Sequence, residues 1–133
     1  MSAPIVYIDR SVIRPGALEE LTSGIEDLVE FIEAREPQLL YYGFHLDREN
    51  SRMTVVSVHP DSASLELHLE VGAAKFRELG GFIDLQGIEV FGEPSEVVLE
   101  QLRAKARDLG DSGSVVIRPR DVGFARFQPT SPG

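Results

Sequence analysis

With 133 residues, 42% of them hydrophobic, the chain has the length of one folded domain and is too apolar for a disordered segment. Its formal charge of −9, from 22 acidic and 13 basic residues, argues against a nucleic-acid backbone as partner. No apolar run approaches the roughly 20 residues that span a bilayer, and the absence of cysteine excludes disulfides, thiol catalysis and cysteine-ligated zinc.

The N-terminal stretch MSAPIVYIDR has no basic segment ahead of an apolar core, so no secretory signal is expected and a cytoplasmic location is. Residues 4–13, PIVYIDRSVI, read as a first strand with Tyr7, Asp9 and Ser11 on one face and Val6, Ile8, Arg10 and Val12 on the other. Pro15 suits the first position of a helix. Leu18, Leu21, Ile25, Leu28, Val29 and Ile32 then recur at spacings of three and four, with acidic residues around them, which predicts an amphipathic helix that Pro37 ends.

The stretch Glu36 to Arg48, EPQLLYYGFHLDR, is apolar and aromatic at consecutive positions. It predicts a strand covered on both faces, placed centrally in a sheet. A polar connection from Asp47 to Ser51 joins it to a second run, Arg52 to His59, as an antiparallel hairpin. Asp61 or Ser62 caps a second helix carrying Ala63, Leu67, Val71, Phe76 and Leu79, with a kink or restart expected near Gly72 and an end at Gly80-Gly81. Ile83 to Phe91 is a further strand. Ser95 caps a third helix with Val98, Leu99, Leu102, Ala106 and Leu109 on its buried side, and Ser114 to Arg118 is a last short strand. In this reading the basic group Arg103-Lys105-Arg107 complements the C-terminal end of the third helix. Phe124 and Phe127 are expected to pack on the domain or on a partner, with Pro129 to Gly133 loose.

Strand, helix, strand, strand, helix, strand is the split βαβ order of a ferredoxin-like α+β sandwich, an antiparallel sheet with helices on one face. A C-terminal helix and short strand follow, and residues 1–133 form one domain. Tyr42, Phe44, Leu46, Val56 and Val58 cannot all share the helix side with Tyr41 and Val55. Apolar residues on both strand faces therefore predict that a second sheet covers the first, most simply in a homodimer joined through the sheet face.

Several segments resemble a known family. They are Arg14-Pro15-Gly16 before the first helix, Glu36-Pro37 and Leu40-Tyr41-Tyr42 at the second strand, and Thr54-Val55-Val56 in the third. Asp61-Ser62-Ala63, His68-Leu69, Phe76 and Val90-Phe91-Gly92 continue the pattern. In order and spacing residues 4–94 resemble the antibiotic biosynthesis monooxygenase domain of the dimeric α/β barrel superfamily, with 95–133 as an extension. The resemblance implies a dimer of ferredoxin-like protomers. It also implies, for some members, oxidation of phenols or quinols by molecular oxygen without metal or flavin. Haem-degrading members use a tryptophan, an asparagine and a histidine. This chain has no Trp, its one Asn is Asn50 in the hairpin turn, and no His follows Phe76 in the second helix, so haem degradation is not expected.

A cofactor-free oxygenase needs an apolar pocket and a base for the substrate's proton. His68, at the family's His-Leu position, and His45 are the catalytic candidates. Tyr41, Tyr7 and Phe76 are the substrate-binding candidates. The plainer reading of His68 is a half-exposed helix residue that only packs. Tyr41 and His45 share a strand face across Gly43, where the missing side chain leaves room for a ligand or for close packing. His59 reads as a loop-edge residue. No metal-ligand spacing, phosphate loop or nucleophile elbow occurs, so no metal or cofactor is expected. The expected function is monooxygenase-like action on an aromatic, phenolic or quinol-type small molecule. The other reading is a non-catalytic dimer that binds a small hydrophobic ligand. Neither nucleic acid nor membrane is an expected partner.

Overall fold

Period-two alternation decides the first strand. In the computed structural model, which describes residues 3–110 and 114–126, β1 (Ile5–Ile13) buries Ile5, Tyr7, Asp9, Ser11 and Ile13 and turns the intervening residues to the opposite face. α1 (Leu18–Arg35) buries Leu21, Ile25, Leu28 and Ile32 and ends at Glu36, the residue before Pro37. The chain continues through β2 (Tyr41–Asp47), β3 (Arg52–His59), α2 (Ser62–Leu79) and a short 3-10 turn (Gly80–Phe82) to β4 (Ile83–Phe91). α3 (Glu96–Leu109) and β5 (Ser114–Arg118) close it.

The sheet has the order β2-β3-β1-β4-β5. The first four strands pair antiparallel and β5 runs parallel to β4. The ferredoxin-like α+β arrangement expected from the sequence is present. The extension adds α3 through Val98, Leu102, Ala106 and Leu109, which join the core formed by α1, α2 and the buried sheet face. That face is covered over β1, β3 and β4, with Tyr42, Phe44 and Leu46 of β2 and Val115 and Ile117 of β5 half-buried at its edges. The opposite one carries Val6, Ile8, Tyr41, Val56, Val58 and Phe91, half-buried or exposed, with the paired charges Arg10–Glu89 and Glu89–Arg118 among them.

Several sequence expectations are corrected. The Glu36 to Arg48 stretch supplies an edge strand, not a central one, because among the described residues β2 pairs only with β3. Its consecutive aromatics divide between the faces. Tyr42, Phe44 and Leu46 pair opposite Ser57, Val55 and Met53 toward the helices, while Tyr41 pairs with Val58 and Gly43 with Val56 on the open face. Val56 and Val58 therefore do not share a side with Tyr42 and Phe44. Pro15 is not the first residue of α1. Arg14–Ala17 is a turn closed by the Ala17 N–H on the Arg14 carbonyl, with Gly16 at φ 76°, the glycine position of a Pro-Gly turn.

α2 runs unbroken past Gly72 and buries Ser64, Leu65, His68, Leu69, Gly72, Phe76 and Leu79, leaving Leu67 exposed. A Cβ on Gly72 would meet the Phe76 ring, so this glycine lets the ring lie back along its own helix. Phe124 is 75% exposed on this chain, and Phe127 and residues 129–133 lie outside the described residues.

The exit from α3 is equally tight. A Cβ on Gly110 would stand 2.2 Å from the Leu85 carbonyl oxygen and 3.0 Å from the Leu85 carbonyl carbon, backbone atoms of a central strand that cannot yield. Gly110→Ala is therefore expected to destabilise the fold by about 1 to 3 kcal/mol, the usual cost of overpacking. Urea unfolding checks this, and a variant as stable as the parent would contradict the close packing of α3 on β4.

Candidate functional site

Two polar clusters stand on the helix side of the sheet, where apolar side chains are expected. The first begins on β1, whose alternation turns Tyr7 and Asp9 inward. The Tyr7 hydroxyl donates to Asp9 Oδ2 at 2.5 Å. Lys105, one turn after Leu102 on α3, donates from Nζ to the Tyr7 hydroxyl oxygen at 2.8 Å and to Asp9 Oδ2 at 3.4 Å. Its ammonium also lies over the rings of Phe76, at 4.3 Å, and Tyr7, at 4.8 Å. Lys105 is thus a largely buried cation, its side chain 13% exposed, that reaches β1 from the helix end. Burial lowers the Lys105 pKa, and the adjacent Asp9 carboxylate opposes that shift. Burial, reinforced by Asp9, raises the Tyr7 hydroxyl well above its ordinary value, so Tyr7 remains a neutral phenol.

The second cluster joins α1 to α2. Glu36 ends α1, its backbone N–H bonded to the Ile32 carbonyl and its own carbonyl accepting from Leu39. Its carboxylate receives His68 Nδ1 at 3.0 and 3.1 Å from the two oxygens, and both side chains are buried. Burial lowers the His68 pKa, with the Glu36 hydrogen bond and charge opposing it. The ring is therefore a neutral base near neutral pH. A carboxylate on Nδ1 fixes the tautomer with the proton there, which leaves Nε2 with its lone pair free. The Tyr42 ring meets His68 edge-on with centroids 5.0 Å apart, and the Phe76 centroid lies 5.3 Å from that of His68.

Behind His68, with ring centroids 5.4 Å apart, lies His59. Ser64 Oγ approaches His59 Nδ1 at 2.8 Å and Ser57 Oγ approaches Nε2 at 3.0 Å, so either neutral tautomer finds one donor and one acceptor. Gln38 Nε2 donates to Ser64 Oγ, and the Ser64 N–H caps α2 by donating to Asp61 Oδ1. His59 is fully buried, not a loop-edge residue. Burial, followed by the nearby His68, lowers its pKa to about 3.

Both clusters open on one cavity. Tyr7, Asp9, Tyr42, His68, Phe76 and Lys105 line it, with Phe44, Val55, Leu79 and Leu85 among its apolar walls. Its free volume, about 30 Å³, holds a water or two. Phe76, Lys105 and Leu109 also line a larger groove of about 280 Å³ between α2 and α3, so movement of these side chains would join the two spaces.

Of the sequence candidates, His68, Tyr7 and Phe76 come together on this cavity. His68 is buried rather than half-exposed. His45 and Tyr41 do not join them. They lie on the open face, where the Tyr41 hydroxyl and His45 Nε2 are 3.1 Å apart and the rings stack at 6.3 Å. The space over Gly43 is filled by the Tyr41 side chain, whose hydroxyl would lie 2.4 Å from a Cβ there. Asp9, Glu36 and Lys105 escaped sequence reasoning. The available signals were an acid among inward-facing residues of β1, an acid at a helix C-terminus against the macrodipole, and a lysine on the apolar stripe of α3.

No family model matches the sequence, and no curated protein is significantly similar to it. Solved structures are similar in fold. MupZ from Pseudomonas fluorescens superposes with a TM-score of 0.71 at 20% identity, over 93% of this chain and 95% of that one. An antibiotic biosynthesis monooxygenase gives 0.55 at 22% identity, over 65% and 92%. SnoaB, a cofactor-independent oxygenase from Streptomyces nogalater, gives 0.59 at 15% identity, over 71% and 96%. The chain has the fold of antibiotic biosynthesis monooxygenases. The resemblance drawn from sequence holds at that level, and MupZ matches a larger share of the chain than the two oxygenases do.

Proposed function

We propose that the protein is a cofactor-independent monooxygenase of phenolic or quinol-type aromatic molecules, with His68 as its base. The observation that carries this reading is the buried Glu36–His68 pair on the wall of an apolar cavity, with the Tyr7–Asp9–Lys105 cluster opposite. His68 Nε2 takes the phenol proton, and Glu36 stabilises the imidazolium that results. The phenolate is electron-rich enough to reduce dioxygen. One oxygen atom enters the ring as a quinone carbonyl and the other leaves as water, so phenol and dioxygen balance against quinone and water with no external reductant. The ring enters when Phe76, Lys105 and Leu109 move aside and join the inner cavity to the groove; Tyr7 and Tyr42 then flank it, and the apolar walls keep bulk water from the anion. The fold shared with SnoaB supports the same reading.

Oxygen uptake by the pure protein over a panel of naphthols and hydroquinones tests it, with quinone formation followed by absorbance. His68→Ala is expected to lower turnover by about a hundredfold or more, the usual contribution of a general base, and Glu36→Gln to lower it by a smaller factor. If no phenol is consumed, the catalytic reading falls and ligand binding alone remains.

The open sheet face supports a homodimer. Val6, Ile8, Val56, Val58, Tyr41 and Phe91 form an apolar surface that no helix covers among the described residues, and a second copy would bury it together with the Tyr41–His45 pair. Sedimentation at micromolar concentration decides this, and a monomer would remove the dimer.

A further inference from the structure

The partition between the inner cavity and the outer groove is built largely by α3, which belongs to the extension beyond residues 4–94. Phe76, Lys105 and Leu109 form it. The groove beyond is apolar along Leu69, Ala73 and Ala104, and its charged groups besides Lys105 are Glu70, Arg77 and Asp108. An ammonium has three protons to donate. Lys105 gives one to Tyr7 and one to Asp9, and the third has no hydrogen-bond acceptor among the described residues. A cation held at the junction of two spaces, with a donor to spare and aromatic faces beside it, is placed to receive an anionic oxygen from either side.

We propose that Lys105 is the anion anchor of the site: its free N–H binds the ionised oxygen of an acidic phenol or enol that enters through the groove between α2 and α3. The proposal rests on the oxygenase reading and adds to it the entry route and the ionised state of the substrate. Charge supports it. When the substrate proton moves to His68, imidazolium faces Glu36 and phenolate faces Lys105, itself balanced by Asp9. The total charge of the site does not change, so no lone charge is left in an apolar interior. Tyr7, kept protonated, accepts from Lys105 and donates to Asp9, holding the ammonium in place.

The test is anaerobic titration with para-nitrophenol, whose phenolate absorbs at longer wavelength than the phenol. Wild type is expected to bind it with the phenolate band present at a pH below the free phenol's own pKa. Lys105→Met is expected to lose that band and about tenfold or more in affinity, the worth of a charge-assisted hydrogen bond, while Lys105→Arg retains part of both. Because Lys105→Met leaves Asp9 unpaired, Asp9→Asn/Lys105→Met serves as the charge-neutral variant whose folding is checked by its thermal transition. Unchanged phenolate binding by that folded double variant overturns the anchor, as does failure of wild type to bind the phenolate. Oxygen uptake measured in parallel separates the two readings. Lys105-dependent binding without uptake removes the oxygenase and keeps the anchor, whereas uptake that persists in the double variant removes the anchor and keeps the oxygenase.

Discussion

Asp9→Ala is expected to destabilise the protein by about 3 to 5 kcal/mol, the cost of leaving a buried charge without its partner. Asp9 is 4% exposed, and its carboxylate holds both the Tyr7 hydroxyl and the Lys105 ammonium. Removing it leaves the largely buried Lys105 with a single neutral acceptor, the Tyr7 oxygen, at the edge of the core. The ammonium must then lose its proton or draw water in, and either response costs stability. Asp9→Ala/Lys105→Met removes both charges and is expected to recover most of the loss, since a buried pair replaced by apolar groups is close to neutral. The measurement is urea unfolding of both single variants and the double, read as a cycle. Additive losses would show that the two groups do not interact, and a stable Asp9→Ala would show that Lys105 reaches water.

The architecture was legible because its signals are periodic. β1 alternates without interruption, α1 repeats its apolar stripe over five turns, and Pro37, the turn after Asp47 and Gly80-Gly81 separate the elements. The periodic signal misleads where hydrogen-bonding groups occupy positions that apolar packing would otherwise fill. On α2 the apolar residues Ala63, Leu67 and Val71 recur every fourth position and imitate a buried stripe, yet the buried stripe contains Ser64, His68 and Gly72. The serine serves His59, the histidine serves Glu36, and the glycine makes room for Phe76. A buried face that carries hydrogen-bonding groups therefore looks polar in sequence. β2 failed for a different reason, since Tyr41-Tyr42 are neighbours in sequence and point to opposite faces.

Within the site, His68, Tyr7 and Phe76 carry enough chemical identity to be chosen in advance. Their partners do not. Glu36 and His68 are 32 residues apart and Asp9 and Lys105 are 96 apart, so only the fold brings them together. One acid among the 22 in this chain carries no mark of its own unless its position breaks a rule. Glu36 breaks one, standing buried at the negative end of α1, and the partner that resolves the conflict is His68.

The two buried histidines make stability depend on pH in a defined direction. Each has a folded pKa below its unfolded value, so the unfolded chain takes up protons first as pH falls. Folding stability is therefore full above the ordinary histidine value and declines below it. For His59 the window runs from 6.5 down to about 3. Each histidine contributes a slope of up to about 1.4 kcal/mol per pH unit, and His59 alone would take away at most about 5 kcal/mol across its window. Carboxylates titrate chiefly near pH 4, so the fall between about pH 6.5 and 5 reports the histidines. His59→Gln, which can still bond to Ser57 and Ser64, is expected to flatten this slope, leaving only the share of His68. Urea unfolding at half-unit pH steps measures it. A wild-type stability that is level across that interval would mean that the rings already carry their protons or reach solvent. On the reading proposed above, with His68 as base, the same protonation would lower phenol oxidation on the acid side as His68 takes up its proton.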